Sequence, residues 1–163
     1  MTIPSQAEPS PVAGSRNVET SRFGAIDIDD DKIITMTSPV LGFPESRHFA
    51  LVPHRDQSPF CWLQSLDEPH LAFVVIRAAA LDADYHPAID SQARRELGLS
   101  RDIEADLLVI LTIPHGQPQR MTANLLAPIV VNVAKRLAKQ VVLDPGRFDP
   151  CWPMFKADET AGL

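Results

Sequence analysis

The amino-acid sequence predicts a mainly β fold, a small antiparallel β-barrel-like single domain with one short helix. Short apolar runs rich in β-branched residues recur along the chain and are separated by turn residues. The chain has 15 prolines and 7 glycines, a balance that suits extended segments and stiff loops better than a helical bundle. Start and stop signals of a helix occur together in one segment. At 163 residues, the chain is long enough for one domain with one sizeable core.

Composition also predicts the domain boundaries. Residues 1–21 are rich in Pro, Ser and other small residues, so we expect a disordered N-terminal leader. The folded domain is expected over residues 22–155, followed by a flexible polar tail at 156–163. The leader lacks the apolar segment of a secretory signal, which makes the cytoplasm the expected location. The longest apolar run is too short and too interrupted to span a membrane, so we expect no membrane partner.

The first two thirds of the chain predict six strands in series. These are Ala25–Ile28, Lys32–Met36, His48–Val52, Phe60–Leu66, Leu71–Ile76 and Asp106–Pro114. We expect a solvated hairpin turn at the acidic stretch between the first two strands. The segment Asp67-Glu68-Pro69 is expected to join the fourth and fifth strands as a second hairpin.

Alternation along the fourth strand places Phe60, Trp62, Gln64 and Leu66 on one face. Because this face carries two large aromatic side chains, we expect it to be the buried one, with Trp62 in the core rather than in a binding site. A buried Gln64 amide needs hydrogen-bond partners, so Gln64 is a candidate structural latch.

The helix is predicted within Tyr85–Gly98. Asp90 is a good N-cap residue, and the glycine at the end of the segment is a good terminator. Ala93 and Leu97 share a face with Ile89, and we expect this face to pack on the domain.

The longest nearly uncharged apolar run, Met121–Leu143, is expected to lie at the centre of the fold. Its apolar residues occur at both odd and even positions, which is typical of backbone buried on both sides. We predict a strand, a bend at Ala127-Pro128, a second strand, a turn near Lys135-Arg136 and a final strand Gln140–Leu143. Two amides in this run, Asn124 and Asn132, must find hydrogen-bond partners and are expected to bind neighbouring backbone.

A helix beginning at Pro128 is the alternative for this run. Val130, Val133 and Leu137 fall at helical spacing, and proline is common in the first turn of a helix. The density of β-branched residues favours the strands, although periodicity alone does not separate the two structures.

Charge and cysteine usage limit the classes of partner. The net charge of −6 argues against direct binding of nucleic acid, which requires a basic face. The same charge would favour a basic protein partner, and the alternative is that it only keeps the domain soluble. The two cysteines, Cys61 and Cys151, are far apart and each lies near a tryptophan. We expect both to be small buried hydrophobic residues rather than a disulfide or a metal site.

One acidic segment imitates the start of a calcium loop. Asp27, Asp29 and Asp31 have the spacing of the first three ligands. The sixth position is Lys32, where the loop needs glycine, and the twelfth is Ser38, where it needs glutamate. The segment is therefore interpreted as a solvated turn.

No other pattern of catalytic or metal-binding residues is complete. Asp82, Asp84 and His86 match no known ligand spacing and are interpreted as a polar loop. The sequence has no phosphate-binding glycine loop, nucleophile elbow or zinc signature. We therefore expect no enzymatic activity, no cofactor and no metal.

Several blocks occur together in an order that characterises one protein family. They are Arg22-Phe23-Gly24, Ile33-Ile34-Thr35, Leu41-Gly42-Phe43, Phe60 to Pro69 (FCWLQSLDEP), Leu71 to Val75 (LAFVV), Asp84-Tyr85, Asn124 to Asn132 (NLLAPIVVN) and Lys139 to Leu143 (KQVVL). In these blocks, from about Arg22 to Phe148, the chain resembles the flagellar assembly factor FliW.

The resemblance implies a small cytoplasmic β-barrel-like protein that acts by binding other proteins. Members of this family bind newly made flagellin and, when free of flagellin, bind the RNA-binding translational repressor CsrA. Export of flagellin would release the factor, which would then bind CsrA and prevent it from repressing the flagellin mRNA. Flagellin synthesis would then resume. Such a switch requires two partners that exclude each other on one protein.

The candidate partner-binding residues follow the last predicted strand. They are Asp144, Arg147, Phe148, Asp149 and Trp152, because aromatic residues combined with charges are typical of interfaces. Packing of Trp152 back on the barrel is an equally open alternative. Two other functions remain open: a small hydrolase or ligand-binding barrel with its residues scattered over loops, and a scaffold domain without a switch.

Overall fold

The computed structural model describes residues 14–81, 84–100 and 105–155. The strands are β1 (Ser15–Thr20), β2 (Gly24–Asp29), β3 (Ile34–Met36), β4 (His48–Pro53), β5 (Phe60–Ser65), β6 (Ala72–Arg77), β7 (Asp106–Thr112), β8 (Thr122–Ala123), β9 (Ile129–Asn132), β10 (Leu137–Gln140) and β11 (Trp152–Pro153). Within these residues there is one α-helix, α1 (Ser91–Glu96), together with 3-10 turns at Asp30–Lys32, Ala78–Ala80 and Pro118–Arg120.

Seven strands form a closed barrel in the order β7-β6-β5-β4-β3-β10-β9. The ring closes because β7 pairs with β6 along one part of its length and with β9 along another. These pairings are antiparallel except the one between β3 and β10, which is parallel. β8 and β11 extend the sheet outside the ring. The predicted fold class, a mainly β barrel with one short helix, is confirmed.

Order begins earlier than the sequence predicts. The residues Ser15–Thr20 form β1, which pairs with β2 over six residue positions, so the predicted leader boundary at residue 21 is wrong. The Thr20 hydroxyl closes the hairpin turn, accepting from the Phe23 N–H at 2.9 Å and donating to the Gly24 carbonyl at 2.8 Å. A polar strand of this kind is stabilised by backbone hydrogen bonds to its neighbour, and these cannot be inferred from amino-acid composition. The rest of the leader and the predicted tail 156–163 lie outside the described residues.

The partner of β2 is also different from the expected one. We expected the acidic turn to join β2 and β3 into a hairpin, but β2 pairs with β1, whereas β3 pairs with β4 and β10. The turn at Asp30–Lys32 therefore connects two separate sheets. The prediction of two strands around a solvated turn holds, but the prediction of a hairpin is wrong.

Apolar side chains fill the barrel interior. This core includes Phe49 from β4, Leu63 from β5, Val75 from β6, Leu108 from β7 and Ile129 from β9. All five are almost completely buried. β4 to β7 begin within one residue of their predicted starts and end within two residues of their predicted ends.

The predicted core position of Trp62 on β5 is wrong. Leu63 and the half-buried Cys61 pack in the barrel core, whereas Trp62 lies on the outer face and is half-buried. There its ring meets the edge of the Phe23 ring, with centroids 6.2 Å apart. The alternating pattern of residues predicts that β5 has two faces. It does not determine which of these faces points into the closed barrel.

Gln64 is a structural latch, as predicted. The side chain is completely buried, and its Nε2 donates to the carbonyls of Ser65 at 2.9 Å and Leu71 at 3.1 Å. A third carbonyl, that of Pro69, lies 3.3 Å away. Gln64 thus fixes both ends of the β5–β6 connection.

The alternative of a helix from Pro128 is excluded, because the run forms β9, a turn and β10. Arg136 lies in this turn with φ of 56°. β10 begins three residues before the predicted Gln140–Leu143. The predicted strand nevertheless corresponds to paired backbone, since the N–H of Val141 donates to Pro128 and that of Leu143 to Leu126.

The side-chain amides of Asn124 and Asn132 both form hydrogen bonds with backbone groups, as predicted. Asn124 Oδ1 accepts from the N–H groups of Leu126 and Ala127, each at 3.1 Å, and so stabilises the bend before β9. Asn132 Nδ2 donates to the carbonyl of Leu97 at 2.9 Å, and its Oδ1 accepts from the Lys135 N–H at 3.2 Å.

Helix α1 covers the outer face of β9. Its cap is the predicted one, because Asp90 Oδ1 accepts from the Ala93 N–H at 2.7 Å. Ala93 and Leu97 are buried against Val130, and Ile89 packs beside them. β9 is therefore buried on both sides, as its mixed apolar pattern predicts.

The cysteines differ in their surroundings. Cys61 packs against the barrel core, in agreement with the prediction. Cys151 is exposed, so its predicted burial is wrong. It lies in a turn in which its N–H donates to Asp149 Oδ1 at 2.8 Å, and this turn directs the side chain outward. Both thiols are free.

Candidate partner-binding surface

A tight turn follows the extended segment after β10. Asp144 Oδ1 accepts from the Gly146 N–H at 2.9 Å, and the Asp144 carbonyl accepts from the N–H groups of Arg147 and Phe148, each at 3.0 Å. These local hydrogen bonds fix the backbone from which the exposed side chains of Asp144 and Arg147 project.

The two aromatic candidates pack on the barrel. Phe148 meets the buried Tyr85 edge-on, with ring centroids 5.7 Å apart and planes at 86°. Trp152 pairs with Ala123 through β11 and joins the same apolar cluster. Both rings are half-buried, so the alternative that Trp152 packs back on the barrel is the correct one.

Asp149 is exposed and belongs to the next turn. Its Oδ1 caps the Cys151 N–H, and its carbonyl accepts from the Leu125 N–H at 3.0 Å. These contacts attach the C-terminal segment to the chain just before β9, which gives Asp149 a clear structural role.

Three of the five candidate residues meet in one groove of about 330 Å³. Asp144, Arg147 and Phe148 line it, while Asp149 and Trp152 do not. The remaining walls come from residues 141–143 and from the segment that leads into α1, namely His86, Pro87, Ala88 and Asp90. The sequence could not predict this wall, because it comes from a distant part of the chain.

Unpaired backbone lies along this groove at Val142. Within the described residues, neither the N–H nor the carbonyl of Val142 makes a backbone hydrogen bond. The side chain of Val142 is 59% exposed. Leu41, which donates its N–H to Gln140 Oε1 at 3.0 Å, is 65% exposed and lies near the same edge. An open strand edge with exposed apolar side chains can pair with an extended segment of another protein.

A buried pair of serines is the nearest approach to a catalytic arrangement. The hydroxyls of Ser46 and Ser65 are 2.7 Å apart, and the Ser46 hydroxyl donates to Glu68. Both serines are completely buried, and Ser65 Oγ accepts from the N–H groups of Asp67 and Glu68. The cluster thus stabilises the β5–β6 turn.

No group of three or more His, Cys, Asp or Glu side chains that could hold a metal occurs in the described part of the chain. Asp84 and His86 form an exposed pair at 3.2 Å, and Asp82 lies outside the described residues. In the same described ranges, no helix is long and apolar enough to cross a membrane.

Comparison with known families gives a match over nearly all of the barrel. The family model described as FliW protein matches residues 17–154. The chain belongs to the FliW family. The match begins within β1 and ends just after β11.

Curated relatives support this assignment along most of the chain. The chain is 40% identical over 142 residues to the flagellar assembly factor FliW of Syntrophus aciditrophicus, covering 87% of this chain and 89% of the relative. It is 38% identical over 125 residues to the FliW protein of Magnetococcus marinus, covering 77% of each chain.

A solved structure supports the same assignment in three dimensions. The fold is similar to a crystal structure of the flagellar assembly factor FliW, with a TM-score of 0.77 and 33% identity. The similarity covers 86% of this chain and 98% of the other. The family resemblance carried by the sequence blocks is confirmed.

Proposed function

We propose that this FliW-family protein acts in the cytoplasm as a regulator that binds two proteins and catalyses no reaction. One partner is newly made flagellin. The other is the translational repressor CsrA, which the protein binds when flagellin is absent. Binding of CsrA then relieves repression of flagellin synthesis, whereas binding of flagellin lets repression resume.

Family membership over residues 17–154 is the observation that carries this proposal. The net charge of −6 adds support, because an RNA-binding repressor must present basic residues and would be attracted to an acidic protein. Neither partner requires a cofactor, and the protein itself makes no direct contact with nucleic acid in this scheme.

The groove beside Val142 is the surface that we assign to partner binding. It combines fixed charges of both signs at Asp144 and Arg147 with unpaired backbone and an exposed apolar side chain. Backbone pairing would supply affinity, and the flanking charges would supply selectivity. Asp149 and Trp152 then act indirectly, by attaching the segment that carries Arg147 and Phe148.

Size-exclusion chromatography of separately purified proteins tests the proposal. The wild-type protein is expected to co-elute with CsrA and, in a separate run, with flagellin. Val142→Asp places a charge at the open edge and is expected to weaken binding of at least one partner by roughly tenfold, about 1.4 kcal/mol. Val133→Asp is the matched control, because Val133 is 53% exposed in the turn after β9. Absence of co-elution with both partners would contradict the proposal.

A further inference from the structure

A second surface feature, separate from the groove, is an apolar pocket of about 260 Å³ on the outside of the barrel wall. Phe60, Trp62, Val74, Ile113, Pro118 and Met121 line it, with His54 beside them. Trp62 pairs across the strands with Val74, and both point away from the barrel interior that Leu63 and Val75 occupy. Ile113 is 41% exposed, so the pocket opens to solvent.

One arginine stacks on a lining residue of this pocket, and two more are adjacent in sequence to lining residues. The Arg22 guanidinium carbon lies 3.9 Å from the centre of the Trp62 ring. Arg120 lies in the chain between the lining residues Pro118 and Met121, and Arg55 directly follows His54. All three arginines are exposed. In the described ranges none of them forms an ion pair with a carboxylate, and Arg120 donates to the Gln117 amide oxygen at 3.2 Å.

The sequence next to the lining residues is basic, in contrast to the whole chain, which has 21 acidic and 15 basic residues. Neither the lining residues nor their immediate neighbours in sequence include Asp or Glu, and Asp56, beside Arg55, is the nearest acid along the chain. A guanidinium stacked on an indole keeps its N–H groups free for a carboxylate and holds them in place. An apolar pocket with such a rim is complementary to an apolar side chain flanked by acids.

We propose that this pocket binds one large apolar side chain from an acidic segment of a partner protein, with carboxylates on that segment pairing to Arg22 and Arg120. The pocket shares no residue with the groove beside Val142. Its ligand is also opposite in charge to a basic RNA-binding protein. The protein would therefore have two docking surfaces of different chemistry, which goes beyond the proposed function.

Peptide titration of the full-length protein tests this inference. The probe is an acetylated, amidated hexapeptide Glu-Glu-Leu-Phe-Glu-Glu, and the controls are Lys-Lys-Leu-Phe-Lys-Lys and Glu-Glu-Ser-Ser-Glu-Glu. The chain has two tryptophans, so two indole N–H signals report separately on Trp62 and Trp152 by NMR. We expect the acidic Leu-Phe peptide to shift the Trp62 signal saturably and to bind at least about tenfold more tightly than either control.

Substitutions at exposed positions identify the site. Ile113→Asp and the double variant Arg22→Glu, Arg120→Glu are expected to weaken binding of the acidic peptide at least about tenfold, whereas Val142→Asp leaves it unchanged. A shift at Trp152 alone, equal binding of the acidic and basic peptides, or no binding would overturn the proposal. These results would leave the CsrA and flagellin co-elution experiment unaffected, so the two proposals fail separately.

Other occupants of the pocket give distinct results. If a second copy of the chain fills it, the Trp62 signal will move with protein concentration in the absence of peptide. The Met154 N–H donates to the carbonyl of Met121, one of the lining residues. If residues 156–163 of the same chain fill the pocket, Leu163→Asp in the full-length protein will move the Trp62 signal without peptide. Either result would overturn the assignment to a partner.

Discussion

Tyr85 shows how a single buried hydroxyl connects the barrel to the segment that supports the groove. Its hydroxyl donates to the Leu125 carbonyl at 2.7 Å, and its ring packs against Phe148. Because burial disfavours the phenolate, the pKa of Tyr85 is raised to about 12. It is the only tyrosine in the chain, so its titration can be observed without substitution.

We predict that the phenolate absorbance of the native protein titrates near pH 12, and that of the denatured protein near pH 10. Since the folded pKa is the higher one, the stability that protonated Tyr85 contributes is complete below pH 10 and is lost as pH rises toward 12. Tyr85→Phe should remove this alkaline loss. A native titration midpoint near pH 10 would contradict the buried hydrogen bond.

Asn132 is predicted to be essential for stability. Its completely buried amide joins the end of β9 both to the end of α1 and to the turn before β10. Asn132→Ala should lower the free energy of unfolding by about 2–3 kcal/mol, because it leaves buried backbone groups without partners. Asn17→Ala is the control, since Asn17 bonds only to Asp27 on the surface, and should cost under about 0.5 kcal/mol. Urea denaturation measures both, and equal losses would refute this role.

The stability of the short helix α1 depends on its N-cap residue. Helix α1 has six residues, too few to be stable alone, so packing on β9 and the Asp90 cap must hold it. Asp90→Ala should destabilise the protein by about 1 kcal/mol, while Ser91→Ala, one position later, should be nearly neutral. Thermal denaturation followed by circular dichroism compares the two variants. No difference between them would contradict the cap.

Most elements could be predicted from the sequence because their signals are local. Asp90 caps the helix where the sequence indicates, and the β5–β6 hairpin follows from its turn residues. The strand β1 could not be predicted, because its polar residues are held by pairing with β2. The inward face of β5 could not be predicted either, since barrel closure decides it. The groove could not be predicted either, because Arg147 and the His86 segment line it together although they are far apart in the sequence.

The whole molecule presents surfaces of different character on one barrel. The groove beside Val142 has mixed charges and open backbone, whereas the pocket at Trp62 is apolar and has Arg22 stacked on its tryptophan. Attraction between an acidic chain of net charge −6 and a basic partner is long-ranged and is screened by salt.

We therefore predict that CsrA associates with the protein more slowly as salt concentration rises, with a smaller effect on dissociation. Stopped-flow fluorescence with labelled CsrA at low and physiological ionic strength measures the two rates separately. Association that does not depend on ionic strength would show that the acidic surface has no part in recognition.

In the proposed function, one protein exchanges two partners that exclude each other. This exchange can be followed by the fluorescence anisotropy of labelled CsrA in a preformed complex with the protein during titration with flagellin. We expect flagellin to return the anisotropy to that of free CsrA, with a midpoint that rises with the concentration of the FliW-family protein. An anisotropy that stays at the bound value while flagellin also binds would show a scaffold without a switch and refute mutual exclusion.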